Sequence, residues 1–140
     1  MQIFTYDNNE DVKELADRFQ FDLSDVQFQC EYYETRNSWG HKAVAIDVPT
    51  STTLAHDKIR YYNRTWECYT YQSILRDLVR KTCTELTNGQ IDYEHVLELN
   101  DEELKDLKEL TQKDFMKKYT WADRKDIVNT KAHYARIGVL

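Results

Sequence analysis

Two spacings of apolar residues occur along this chain, and together they predict an α+β fold. In residues 26–33, Val26, Phe28 and Cys30 alternate with polar neighbours, which is the two-residue period of a half-buried strand. Around Leu15 the apolar residues instead recur at the three- and four-residue spacing of an amphipathic helix.

The strand patterns lie in the first half of the chain. Asn37 to Gly40 supplies turn residues for a first hairpin, and Asn63-Arg64 supplies a two-residue reversal for a second. The predicted strands are residues 2–6, 26–33, 43–48, 58–62 and 65–70. We therefore expect an antiparallel sheet of four or five strands.

Two helices are expected to cover this sheet, because a sheet with one apolar face must bury it. They are predicted over residues 8–19 and 71–87, the second ending at Asn88-Gly89. The start of the first helix has two alternative capping pairs, Asp7 with Glu10 or Asn8 with Asp11.

Beyond Gly89 the strand pattern disappears, and capping residues predict helices. These are expected at 93–99 after Asp92, after Asn100 with Glu103, after Thr111 with Asp114, and over 121–136. Their expected core is Leu97, Leu99, Leu104, Leu107, Leu110, Phe115, Met116, Tyr119, Trp121, Ile127 and Val128. We expect one α+β domain over residues 1–140, with sub-lobes 1–89 and 90–140 as the alternative.

Charge is segregated along the chain, whose net charge is −6. Residues 1–35 and 85–114 each carry a net −7, whereas residues 58–84 and 115–140 each carry +4. Such blocks are typical of a solvated surface, and equally of an acidic face that meets a basic partner.

Several classes of function lack support in the sequence. Three glycines exclude a glycine-rich phosphate loop, the four histidines have no helical metal-ligand spacing, and the three cysteines lack CxxC spacing. No run reaches the roughly 20 apolar residues of a membrane helix. We therefore expect a cytoplasmic protein that is not an enzyme, with no catalytic residue, metal or cofactor.

Two alternatives compete with a protein partner. Glu31, Asp47 and Lys58 could converge as the metal ligands and phosphate-binding lysine of a metal-dependent nuclease. The interleaved basic and aromatic residues 60–66 could instead bind nucleic acid directly, as an accessory protein would.

The segment Arg60-Tyr61-Tyr62-Asn63-Arg64-Thr65-Trp66-Glu67-Cys68-Tyr69-Thr70-Tyr71-Gln72-Ser73-Ile74-Leu75 resembles one found in small proteins of bacteriophages and mobile elements of Gram-positive hosts. In those proteins a strand with a Trp-Glu pair runs into a helix that starts Gln-Ser. The short, acidic, tyrosine-rich chain is also similar in character to anti-CRISPR and other anti-defence proteins. This resemblance implies inhibition by occlusion, in which carboxylates imitate DNA phosphates or an aromatic surface blocks a moving domain.

The predicted function is therefore inhibition of a host nucleic-acid-processing defence enzyme, such as the CRISPR effector Cas9 or its guide-RNA complex. The oligomeric state is left open. The expected partner-binding residues are Tyr62, Arg64 and Tyr69 in the second hairpin, and Glu94, Glu98, Asp101, Glu102 and Asp106 in the acidic block.

A first prediction concerns the second hairpin. If Tyr62, Arg64 and Tyr69 form an exposed binding surface, their triple alanine variant should keep its melting temperature within a few degrees. Partner binding should be lost, because truncated aromatic and arginine anchors cost about 2 kcal/mol or more at a binding hot spot. Differential scanning fluorimetry and a binding assay check this, and a collapsed thermal transition would assign these side chains to the core.

Overall fold

The structure of the protein, a computed structural model, describes the backbone of residues 1–62 and 71–140. In this part of the chain the strands are β1 (Gln2–Phe4), β2 (Val26–Glu34), β3 (Ser38–Asp47) and β4 (Thr52–Tyr62). The helices are α1 (Glu10–Phe19), α2 (Tyr71–Leu86), α3 (Asp101–Glu109), α4 (Gln112–Lys118) and α5 (Arg124–Arg136). The chain divides into two compact units, Met1–Gly89 and Gln90–Leu140.

The predicted α+β class is confirmed. Within the described residues the sheet has four strands in the order β1-β2-β3-β4, and every neighbouring pair is antiparallel. The predicted fifth strand and the hairpin residues Arg64 and Tyr69 lie outside the described residues. Among the helices of residues 1–62 and 71–140, none is both long and apolar enough to cross a lipid bilayer.

One face of the sheet packs against α1 and α2. Phe28 and Cys30 of β2 and Ala43 and Ala45 of β3 are almost fully buried on this face. The helices contribute apolar stripes, namely Val12, Leu15, Ala16 and Phe19 from α1 and Ile74, Leu75, Leu78, Val79 and Cys83 from α2. Leu86, which the helical spacing also placed on the α2 stripe, is 41% exposed at the end of the helix. Fully burying one such large aliphatic or aromatic side chain contributes about 1.5–3 kcal/mol, so these stripes hold the helices on the sheet.

The cap of α1 differs from both predicted pairs. The side chain of Asn9 is the N-cap, and it accepts hydrogen bonds from the backbone N–H groups of Asp11 and Val12. Asn8 bonds back towards β1 instead, accepting from Thr5 N at 2.8 Å. The helix therefore begins later than predicted, because the preceding turn already engages the side chain of Asn8.

The first hairpin reverses earlier than predicted. The hydroxyl of Thr35 accepts from Ser38 N at 3.1 Å, and Thr35 N donates to Ser38 O at 2.7 Å. These contacts close the turn over residues 35–38. Gly40 consequently lies inside β3 and not in the turn.

Position 40 requires a glycine because neighbouring atoms of β2 and β4 leave no room for a Cβ atom there. Gly40 pairs with Tyr33 on one side and Arg60 on the other. A Cβ atom at this position would overlap the carbonyl oxygen of Ile59 and lie 2.9 Å from the Tyr33 hydroxyl. That hydroxyl lies 3.5 Å from Ile59 O, so the Tyr33 side chain crosses β3 over the bare glycine.

The second unit has its own core. Leu99, Leu107, Phe115, Ala122 and Ile127 are buried together, with six partly buried apolar residues around them. The predicted caps Asn100 and Thr111 are confirmed at α3 and α4. Two predicted core residues are wrong: Trp121 is 57% exposed and Val128 is 50% exposed. Trp121 precedes α5, which begins at Arg124 and not at residue 121.

The close approach at Gly40 generates a prediction. Gly40→Ala should lower the free energy of unfolding by about 1–3 kcal/mol, because the strands must shift to admit a methyl group. Lys42→Ala, an exposed position two residues along β3, should change it by only about 0.5 kcal/mol. Urea unfolding of both variants checks this, and equal stability for the two would contradict the steric argument.

Candidate partner-binding surfaces

The segment of residues 90–100 lies along α5 and forms neither a helix nor a strand. Its backbone N–H groups bond to side chains of that helix: Asp92 N donates to Asn129 Oδ1 at 2.8 Å, and Leu97 N donates to Thr130 Oγ1 at 2.9 Å. Buried apolar side chains of the segment face inward, namely Ile91, Tyr93, Val96 and Leu99. The segment is thus fixed to α5 by polar contacts and burial together.

The helix predicted at 93–99 is therefore wrong. Asp92 does bond Glu94 N, as a cap would, and His95 N bonds Asp92 O at 3.0 Å, but only a single turn forms. The backbone N–H groups of Asp92 and Leu97 donate instead to side-chain oxygens of α5. These acceptors lie more than 30 residues away in sequence, so a local pattern could not reveal them.

A buried hydrogen-bond chain anchors the segment at Tyr93. Arg136 Nε donates to the Tyr93 hydroxyl at 2.9 Å, and that hydroxyl lies 3.0 Å from His133 Nδ1. Tyr93 and His133 are both almost fully buried. Burial, followed by the nearby Arg136 charge, lowers the pKa of His133 to about 4. The neutral imidazole can then accept a hydrogen bond from the Tyr93 hydroxyl at Nδ1.

The structure separates the predicted acidic residues into two groups. Glu103 belongs to the capping box of α3 with Asn100. Asp106 accepts from Lys118 Nζ at 2.7 Å and from the Tyr119 hydroxyl, and these hydrogen bonds lower its pKa. α4 thus supplies a lysine to the acidic block from outside α3.

Four predicted carboxylates remain exposed, and we call them the acidic surface: Glu94, Glu98, Asp101 and Glu102. Residues 90–104 contain no lysine or arginine. Asp101 and Glu102 lie in the first turn of α3, where the helix dipole favours negative charge. Glu94 and Glu98 precede the helix, and the dipole effect falls off within one turn, so capping does not account for them.

His95, Asp123 and Asp126 place three potential metal-ligand atoms within 4.8 Å of one another. Their geometry is explained by the start of α5. Asp123 and Asp126 form the capping box of this helix, and His95 Nδ1 lies 2.9 Å from Asp126 Oδ1. A cation there would face the positive end of the helix dipole. We assign these side chains to capping and not to a metal site.

The second surface is the face of the sheet that points away from α1 and α2, and we call it the open face. Its side chains are Gln29, Glu31, Tyr33, Lys42, Val44, His56, Lys58 and Arg60, each partly or fully exposed. A shallow groove of about 370 Å³ runs across it. This surface could not be recognised from the sequence, because the register of three strands decides which residues share it.

The predicted nuclease trio is not brought together. Glu31 and Lys58 line the groove of the open face. Asp47 lies five residues beyond Lys42 on β3, which is about 17 Å along a strand at roughly 3.4 Å per residue. Its carboxylate accepts a hydrogen bond from the Thr50 hydroxyl at 2.6 Å, so it supports the following turn.

Of the predicted hairpin residues, only the backbone of Tyr62 is described, where it pairs with Ser38 at the end of β4.

No family model, no curated protein and no solved structure matches this chain. The assignment of a function therefore rests on the two surfaces.

The buried imidazole generates a pH prediction. An unfolded histidine titrates near 6.5, whereas His133 titrates at about 4, so the unfolded state binds more protons between these values. The stability that neutral His133 provides is present above pH 6.5 and is lost as the pH falls towards 4. The loss is about 3 kcal/mol, at about 1.4 kcal/mol per pKa unit.

The measurement compares wild type with His133→Gln by urea unfolding, followed through NMR signals of residues 90–140. The stability advantage of wild type should shrink between pH 7 and pH 4. A difference that stays constant across this range would show that His133 is not the group that titrates.

Proposed function

We propose that this protein is an inhibitor from a phage or mobile element that binds a host nucleic-acid-processing defence enzyme. The proposed target is a CRISPR effector such as Cas9, whose DNA binding or cleavage it blocks by occlusion. The observation that carries the proposal is the acidic surface, with four exposed carboxylates and no basic residue in residues 90–104.

Asp101 and Glu102 are adjacent in sequence, and neighbouring like charges repel each other. A basic channel that normally holds DNA phosphates would relieve this repulsion on binding. Complementary potentials also accelerate encounter and discriminate against other partners. The arrangement thus suits an occluding inhibitor better than a surface that serves only solubility.

The support beneath the acidic surface favours tight binding. Glu94 and Glu98 lie on a segment fixed to α5 through Asn129 and Thr130. Asp101 and Glu102 follow directly on the N-cap of α3. Because these backbones are already ordered, association need not supply their ordering entropy.

The test is charge reversal of the acidic surface. Glu98→Lys, Asp101→Lys and Glu102→Lys are combined, and Asp106 is left intact because its pairing with Lys118 ties α3 to α4. The control variant carries Asp7→Lys, Asp25→Lys and Glu85→Lys, which are exposed carboxylates of the first unit. Both variants change the net charge equally.

We expect the acidic-surface variant to lose at least tenfold in its inhibition of target-DNA cleavage by a purified Cas9–guide RNA complex. The control should inhibit like wild type, and raising the salt concentration should weaken wild-type inhibition as screening requires. Circular dichroism should show both variants folded, since exposed charges contribute about 0–1 kcal/mol each. Equal inhibition by the two variants, or none by wild type, would refute the proposal.

A further inference from the structure

We infer that the open face is a binding site for a single strand of nucleic acid. This site belongs to the first unit alone and does not depend on the acidic surface or on the inhibitor proposal. It combines a groove, a row of cations and an aromatic ring on one face of an antiparallel sheet.

The register of the sheet fixes this combination. Glu31, Lys42 and Lys58 form one row across β2, β3 and β4. The next row carries Tyr33, Gly40 and Arg60, and the row on the other side carries Gln29, Val44 and His56. Successive rows on one face are about 7 Å apart, at two residues of roughly 3.4 Å each. A chain that crosses the rows therefore meets a cation or imidazole at each step along β4.

The open face carries mainly positive side chains, whereas the first unit as a whole has a negative net charge. Residues 1–89 carry 10 lysines and arginines against 14 carboxylates, a net charge of −4. The open face nevertheless presents Lys42, Lys58 and Arg60. The carboxylates that line its groove are Glu31 and Asp57, and Asp57 is paired with Lys81 at 3.0 Å. The Lys42–Glu31 pair spans 3.5 Å with both side chains about half exposed, and such exposed pairs contribute little. A phosphate can therefore compete for Lys42.

Tyr33 adds a stacking element. Its side chain crosses β3 over Gly40, and Lys58 Nζ lies 4.8 Å from the centre of its ring. Tyr33 is partly exposed. A base can stack on its ring when Lys58 moves from the ring to the adjoining phosphate.

A single strand fits this face better than a duplex or an acidic peptide. Duplex bases are read by elements that protrude into a groove, whereas an open sheet with a ring and cations binds splayed bases and their backbone. A peptide would use the cations but would leave the ring without a stacking partner. The net negative charge of the unit opposes loose attraction of polyanions, so binding should be confined to this face.

The test measures the binding of the full chain to labelled 12-nucleotide single-stranded RNA and DNA by fluorescence anisotropy. A labelled duplex of the same sequence is measured for comparison. We expect a single strand to bind more tightly than the duplex. The logarithm of the association constant should fall with the logarithm of the salt concentration with a slope of about −2. This value corresponds to three phosphates, one for each cation, at roughly −0.7 per phosphate. The preference between RNA and DNA identifies the natural strand. No binding by either strand, or stronger binding by the duplex, would overturn the inference.

Two sets of variants with opposite expected effects on affinity distinguish a binding role of these residues from a structural role. Lys42→Gln with Lys58→Gln should weaken binding at least tenfold and reduce the slope to about −0.7, which corresponds to one remaining phosphate contact. Glu31→Gln should strengthen binding several-fold, because it removes the carboxylate that pairs with Lys42, and loss of folding cannot produce such a gain.

The matched control is Lys113→Gln with Lys117→Gln, two exposed lysines of the second unit. This variant should bind like wild type, since its net charge changes equally at a distant position in the sequence. If the two lysine pairs weaken binding equally, or if Glu31→Gln has no effect, the open face is not the site. Inhibition of the defence enzyme is measured separately, so failure of this inference leaves the proposed function to its own test.

Discussion

Burial of only one face of the sheet is the constraint on which the first unit depends. The stripes of α1 and α2 remove Phe28, Cys30, Ala43 and Ala45 from water, and an antiparallel sheet tolerates water on its other side. The outward positions of the same strands are therefore released from the demands of the core. They carry Lys42, Lys58 and Arg60, charges that a covered face could not hold without partners. Core and open face are two consequences of one alternating pattern.

In the second unit, residues 90–100 obtain hydrogen-bond partners from the helix α5. Their backbone donors must still be satisfied where they are buried, and polar side chains of α5 meet part of this need. Asn129 and Thr130 thus take the place that a neighbouring strand would have in a sheet. The Arg136–Tyr93–His133 chain adds a buried polar anchor that holds only while the imidazole is neutral. Order in this segment depends on hydrogen bonds as much as on apolar contact.

Local patterns predicted the features that local physics decides. The four described strands, most of the stripes of α1 and α2, and the caps Asn100 and Thr111 could be recognised, because each depends on residues within a few positions. The starts of β3 and β4 were missed: these strands begin at Ser38 and Thr52, not at residues 43 and 58. The predicted helix at 93–99 failed because its donors are taken by α5, and the partner of Asp106 was missed because Lys118 comes from another helix. The acidic block was recognisable as composition. The open face was not, because only the pairing of β2, β3 and β4 brings its residues together.

The attachment of residues 90–100 to α5 has a consequence for how this protein can vary. The groups that hold the segment are backbone N–H groups and inward side chains, whereas Glu94 and Glu98 point to solvent. Substitutions at these exposed positions leave the Asp92–Asn129 and Leu97–Thr130 hydrogen bonds in place, because those bonds use backbone N–H groups. The chemistry of the exposed surface can therefore change while the backbone of the segment keeps its attachment to α5.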